Sequence, residues 1–189
     1  MFKEEMIFNV ANLLTILRVL FIPLIIFIFF LDSDFMRKLA ALFFLIASIT
    51  DYLDGLVARK LGQQTNFGEF LDPVADKLLV ISMLVLLITE NNEIVFVIPA
   101  LIIIAREFLV ISMRQRLAEL RVQQKIKVLK ISKFKTALQF ISILLLLYKS
   151  DVFGYHIYAL GIYALQIASV LTVISFFYYV KNSWDVIIK

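Results

Sequence analysis

Leu39-Ala-Ala-Leu-Phe-Phe-Leu-Ile-Ala-Ser-Ile-Thr50 runs into Asp51-Tyr-Leu-Asp54-Gly55-Leu-Val-Ala58-Arg59. Eight residues later Gly68-Glu-Phe-Leu-Asp72-Pro-Val-Ala-Asp76 runs into Lys77-Leu-Leu-Val-Ile-Ser-Met-Leu-Val-Leu-Leu-Ile-Thr89. Two apolar runs of membrane-spanning character thus meet at four carboxylates. An ionised side chain at the centre of a membrane helix costs ~2.5–3.5 kcal/mol on insertion scales, so four exposed to lipid would cost roughly 10 kcal/mol. They must face water, a metal or a polar cavity. On a helix, residues three and four apart share a face, so Asp51 converges with Asp54 and Asp72 with Asp76.

Two helices that each offer a pair of carboxylates make a cage of hard oxygen ligands. Left unpaired, those groups repel one another; Mg²⁺, Mn²⁺ or Ca²⁺ relieves the repulsion. Three of the five glycines, Gly55, Gly62 and Gly68, fall in the same stretch. Without a Cβ, Gly55 and Gly68 admit a close-lying ligand or partner helix. Arg59 adds a planar donor fork suited to phosphate.

The string Asp51-x2-Asp54-Gly55-x2-Ala58-Arg59-x8-Gly68-x3-Asp72-x3-Asp76 resembles, at every fixed position, the signature of the CDP-alcohol phosphotransferase family. The resemblance extends along the chain. Asn12-Leu-Leu-Thr15-Ile-Leu-Arg18 looks like the opening of the family's first membrane helix. The segments Arg106-Glu107-Phe-Leu-Val-Ile-Ser-Met-Arg114 and Lys130-Ile-Ser-Lys133-Phe-Lys135-Thr136-Ala-Leu-Gln139 resemble its phosphatidylglycerophosphate synthase branch. Ala11 departs from the pattern, since that branch often has proline before the asparagine.

The resemblance implies a membrane enzyme that displaces CMP from CDP-diacylglycerol with the hydroxyl of an acceptor alcohol, here sn-glycerol 3-phosphate. It implies two ions, Mg²⁺ or Mn²⁺, held by Asp51, Asp54, Asp72 and Asp76, with Asp76 also the general base. Gly55, Ala58, Arg59 and Gly68, with Asn12, Thr15 and Arg18, would bind CDP-diacylglycerol. Homodimers are usual in the family. Serine or inositol phosphate as acceptor is the alternative within it. A divalent-cation transporter is the alternative outside it, opposed by the lack of an inverted repeat and by the crowding of all four aspartates at one end of the bilayer.

Composition agrees with a bilayer protein. Hydrophobic residues make up 62% of 189 residues and mean hydropathy is +0.94, against about 45–50% apolar in soluble domains. The fold class expected is all-α: a polytopic membrane protein with six transmembrane helices near 12–31, 37–60, 68–89, 93–113, 131–149 and 155–180, all in one domain, 1–189. Phe2 to Asn9 reads either as a short interfacial helix or as a disordered leader. The acidic start argues against a signal peptide, and the absence of cysteine excludes disulfides and thiolate metal sites.

Lysine and arginine set the orientation. One side of a six-span topology collects Lys3, Arg59, Lys60, the cluster from Arg114 to Lys135, Lys181 and Lys189, and the other only Arg37, Lys38 and Lys149. The basic side, with both termini and the aspartates, is expected to be cytoplasmic in an inner membrane; no nucleic-acid partner is expected.

Arg106, Arg114, Lys133 and Lys135 lie within or at the ends of apolar spans, where a cation needs a partner. They suit a pocket for an acceptor phosphate. Glu107 can pair with a base on a neighbouring helix, and snorkelling to the interface remains the second reading of Lys133 and Lys135. Arg116, Arg121, Lys125 and Lys127 read as a loop touching anionic head groups. His156, at the start of the last span, reads as an interfacial histidine on the side away from the aspartates. Trp184, Tyr178 and Tyr179 fit an aromatic belt, and Pro73 predicts a kink that aims Asp72.

Overall fold

A computed structural model describes residues 10–61, 66–119, 130–152 and 154–187. The side chains of residues 10–11, 51–61, 66–67, 69, 130–133 and 185–187 lie outside that description. So does the segment Phe2–Asn9, and with it the expected interfacial helix.

Six helices follow one another: α1 (Val10–Phe29), α2 (Asp34–Leu61), α3 (Asn66–Glu90), α4 (Ile94–Glu119), α5 (Lys130–Tyr148) and α6 (Ile157–Ile187). Their starts and stops have local causes. Ser33 caps α2, its Oγ accepting from the Met36 amide at 3.3 Å, and Asp34 in the first turn suits the positive end of the helix dipole. Asn91 turns the chain into α4, its Oδ1 accepting from the Glu93 amide at 3.0 Å. Helix α5 ends where Lys149 takes a left-handed conformation (φ 58°), the usual way to stop a helix after its last residue. Helices α1, α3 and α4 each continue through an internal proline: Pro23, Pro73 and Pro99.

Two of these helices outrun the apolar patterns that predict them. Helix α4 continues to Glu119 instead of 113, and α6 to Ile187 instead of 180. Hydropathy marks where apolar surface ends. The backbone stays helical past that point, through Arg114-Gln-Arg116 and Lys181-Asn-Ser-Trp184, helped in the first stretch by the good helix formers arginine and glutamine.

Helix α1 packs against α2 and α3, α6 against α4 and α5, and α3 and α5 close the bundle between them. The core of Ile25, Phe44, Met83, Leu87, Phe96 and Leu146 lies at their shared centre. The α5–α6 seam is the tightest. A Cβ on Gly161 would stand 2.8 Å from Leu146 Cγ, and Ser142 Oγ donates to the Gly161 carbonyl at 2.9 Å. Glycine is there because the helices touch.

The outside of the bundle is as apolar as its inside. Leu20, Phe27, Val85, Leu101, Ile167 and Phe177 are all exposed, far more apolar surface than a water-soluble monomer presents. Among the described residues three helices are long and apolar enough to cross a membrane: α1 over Asn12–Phe29, α4 over Ile94–Glu119 and α6 over Ile157–Trp184. Helix α5 adds the shorter apolar stretch Phe134–Tyr148. This is a membrane protein.

The helices alternate in direction, so the 30–33, 91–93 and 149–156 connections gather at one end. Contacts confirm it: Arg37 at the start of α2 binds Glu90 at the end of α3 through both guanidinium nitrogens, 2.7 and 2.9 Å. Lys149, after α5, joins the same Glu90 carboxylate. The aspartates lie towards the opposite end.

Candidate active site

Helix α3 carries the part of the aspartate motif whose contacts are described. Asp72 and Asp76 stand one turn apart on it, both partly exposed, while the backbone at Gly68, one turn before, is buried. Asp72 is held from α1: Thr15 Oγ1 donates to Asp72 Oδ1 at 2.6 Å across 57 residues of sequence. A hydroxyl that donates to a carboxylate fixes its rotamer. Asn12 and Arg18, on the same face of α1, are buried with Thr15. The three polar positions of the first helix therefore look inward, Thr15 onto α3, from within a segment otherwise apolar all round.

Asp51, Asp54, Gly55, Ala58 and Arg59 occupy the last turns of α2. Their backbone is helical, so Asp51 and Asp54 share a face as the spacing requires. Their side chains lie outside the described residues. Accordingly, among the described residues no group of three or more acidic, histidine or cysteine side chains could hold a metal ion. The donor set still suits a hard divalent ion: Asp72 and Asp76 offer carboxylate oxygens from one helix face, with Asp72 pinned by Thr15 and no softer ligand nearby in sequence.

Beside Asp76 the structure places a buried charge cluster. Lys77 Nζ lies 3.1 Å from Asp76 Oδ2 and 2.8 Å from Glu107 Oε2. Glu107, only 3% exposed, also receives Arg106 Nη1 at 2.9 Å and faces Lys135 Nζ at 3.8 Å. Lys135, 2% exposed, projects inward from α5. Of the two sequence readings for Lys135, snorkelling to the interface is therefore the one its burial opposes.

The other two basic candidates stand differently. Arg114 is exposed and lies eight residues beyond Arg106, about 12 Å along the α4 axis. The side chain of Lys133 falls outside the described residues. Arg106 and Lys135 meet at Glu107, and Arg114 lies within electrostatic reach of Lys135.

Lys77 is absent from the sequence-derived set. The signal was available: an intramembrane cation next to Asp76, inside a span, demands a partner, and Glu107 is the sole acid between Glu93 and Glu119. Matching unpaired intramembrane charges across helices would have joined them. His156 sits at the far end of the bundle, 3.1 Å from Asp151, exposed and away from the aspartates.

The described residues define a class by architecture: a helical membrane protein with two aspartates one turn apart on α3, next to a largely buried cluster of Lys77, Arg106, Glu107 and Lys135. Comparison with known proteins gives the family. The sequence model described as CDP-alcohol phosphatidyltransferase matches residues 8–180, and the chain belongs to that family. It is 42% identical over 174 residues to a protein of Rickettsia typhi, covering 92% of this chain and 96% of the relative. It is 41% identical over 177 residues to one of Pseudomonas fluorescens, covering 93% and 90%. A third, from Wigglesworthia glossinidia brevipalpis, is 38% identical over 176 residues, covering 93% and 95%. All three relatives are named CDP-diacylglycerol–glycerol-3-phosphate 3-phosphatidyltransferase.

Proposed function

We propose that this enzyme transfers the phosphatidyl group of CDP-diacylglycerol to a hydroxyl of sn-glycerol 3-phosphate, releasing CMP and forming phosphatidylglycerophosphate. The relatives' names support the acceptor. The observation that carries the reading is that Lys77 links Asp76 to Glu107, on which Arg106 and the buried Lys135 also converge, an arrangement that suits a proton acceptor near an anion pocket.

In the reaction the acceptor oxygen attacks the lipid-linked β-phosphorus. The new P–O bond forms as the bond to the oxygen of CMP breaks, and the hydroxyl proton passes to the Asp76 carboxylate. A carboxylate can take that proton only within hydrogen-bond reach. Lys77 holds Asp76 through Oδ2. Thr15 keeps Asp72 oriented. Arg106 and Lys135 hold the acceptor's phosphate; Arg59, Gly55, Ala58 and Gly68, with Asn12 and Arg18, hold the nucleotide diphosphate. Asp51, Asp54, Asp72 and Asp76 would hold two Mg²⁺ or Mn²⁺ ions. When bound, such ions supply charge stabilisation at the attacking and leaving oxygens.

An acceptor panel tests the reading. Purified enzyme with CDP-diacylglycerol should release CMP with sn-glycerol 3-phosphate and very little with serine or myo-inositol. Lys135→Met should raise the acceptor KM by roughly ten- to a hundredfold, the loss of one charge-assisted contact of about 1.5–3 kcal/mol, while the KM for CDP-diacylglycerol stays put. Product from serine alone would move the protein to another branch of its family.

The same proposal covers orientation and assembly: six spans, termini and aspartates on the cytoplasmic side, and a homodimer. The lysine and arginine count supports the orientation, and a chain without cysteine makes it measurable without background labelling. Gly62→Cys and Gln124→Cys should react with an impermeant thiol reagent from the cytoplasmic side, Asn92→Cys from the other. The reverse pattern would place the chemistry on the wrong side for a nucleotide-linked donor made in the cytoplasm.

A further inference from the structure

Glu107 is a carboxylate buried among cations drawn from three helices. Lys77 reaches it from α3 at 2.8 Å, Arg106 from its own helix at 2.9 Å and Lys135 from α5 at 3.8 Å. Three formal positive charges face two negative ones, since Lys77 also meets Asp76. One positive charge is left over, and a phosphate monoester, at about −1.5 to −2 near neutral pH, supplies a counter-charge for it.

The donors left over point the same way. Among the described residues, neither Lys135 Nζ nor Arg106 Nε has a hydrogen-bond partner, and both atoms are buried. At 3.8 Å the Lys135 ammonium is within ion-pair range of Glu107 and beyond hydrogen-bond range. Buried donors of this kind are normally satisfied by a ligand or by water.

We propose that Glu107 is a positioning residue for the acceptor, spacing Lys77, Arg106 and Lys135 around one phosphate, and that Lys77 is the third cation of that set. This rests on the reading that the acceptor is phosphorylated. Without the carboxylate, three like charges would separate, and long flexible stems would carry the lysine heads towards the interface. With it, they converge. Lys77 has a second role by position, since the ammonium that meets Glu107 also meets Asp76. It ties the pocket that grips the phosphate to the carboxylate that takes the hydroxyl proton. The acceptor's two ends are thereby held in one register.

Glu107→Gln keeps the shape and removes the charge. In the full-length enzyme it should raise the KM for sn-glycerol 3-phosphate about tenfold or more, in the range set by losing one charge-assisted contact. The KM for CDP-diacylglycerol should stay within about twofold, below what such a contact is worth. Glu107→Asp should recover part of the loss. Lys77→Met should raise the acceptor KM similarly, and the double variant should lose less than the product of the two single effects, because both act through one contact. If Lys135→Met raises the acceptor KM while Glu107→Gln and Lys77→Met lower kcat at unchanged acceptor KM, Glu107 is merely structural and the inference is overturned. If sn-glycerol 3-phosphate is no acceptor for the unmodified enzyme, or its KM ignores Lys135→Met, the underlying reading fails and takes the inference with it. Should Glu107→Gln not fold, Lys77→Met decides alone: it leaves Arg106 on Glu107, and an unchanged acceptor KM rejects the proposal.

Discussion

Asp72→Asn and Asp76→Asn should each leave a folded, membrane-inserted protein whose CMP release falls by about 10²–10⁴-fold, the range over which a positioned acid–base group acts. Asparagine matches aspartate in size and, at position 72, can still accept from Thr15 through its Oδ1, so the α1–α3 contact survives. What disappears is the negative charge. At position 72 that removes one anionic oxygen donor from the proposed cation site; at position 76 it also removes the proton acceptor and the partner of Lys77. Asp51→Asn and Asp54→Asn should behave like Asp72→Asn, and the unmodified enzyme in excess chelator should match them. Thr15→Val gives the graded control. It deletes the hydroxyl on Asp72 and leaves the carboxylate, so the loss should be nearer the 1.5–3 kcal/mol of one hydrogen bond to a charged group. The measurement is CMP release by purified variants, with helical circular dichroism to confirm folding. Near-normal turnover by Asp72→Asn or Asp76→Asn would remove the two-metal reading.

That experiment tests residues visible in the sequence, and the reason they were visible is local. Asp72 and Asp76 are one helical turn apart, so their shared face follows from 3.6 residues per turn. The helices themselves announce their presence as long apolar runs, which nothing but a bilayer or a large core accommodates. Contacts between helices are another matter. Thr15 lies 57 residues from Asp72, and no periodicity in either segment names the other as its partner. Lys77 escaped for a related reason: its partner Glu107 is on the next helix, so the pair emerges only when intramembrane charges are matched across helices, a match that the packing of α3 against α4 makes directly.

Arg37 shows the limit most plainly. In the sequence it belongs with Lys38 to a charged connection on the side away from the aspartates, and counts only towards orientation. In the structure it is 6% exposed. Its guanidinium lies 3.7 Å from the centre of the Phe29 ring and is gripped by both oxygens of Glu90. A count of charges gives the side of the membrane; it gives no depth.

Glu90→Gln is therefore expected to cost the protein about 3–5 kcal/mol of stability, the usual consequence of breaking one side of a buried ion pair. Glu90 is the hub of the end opposite the aspartates. It binds Arg37 through two bonds of 2.7 and 2.9 Å and also takes Lys149, joining the α1–α2 turn to the ends of α3 and α5. With the carboxylate neutralised, Arg37 keeps Asp32 at 3.4 Å, whose side chain is 84% exposed and so well screened. The cation is left in an apolar setting beside Phe29. Lys149→Met should cost far less, since that side chain is half exposed and such pairs contribute about 0–1 kcal/mol. Replacing both partners, Arg37→Leu with Glu90→Leu, should recover much of the loss, because no unpaired charge stays behind. For a chain of this size the single variant corresponds to a fall of roughly 6–20 °C in Tm, readable by thermal unfolding in detergent. Below its melting point Glu90→Gln should still release CMP, because the clamp and the aspartates occupy opposite ends of the bundle. Equal costs for Glu90→Gln and Lys149→Met would show that Arg37 is solvated after all. Lost turnover in a folded Glu90→Gln enzyme would show that this end communicates with the chemistry.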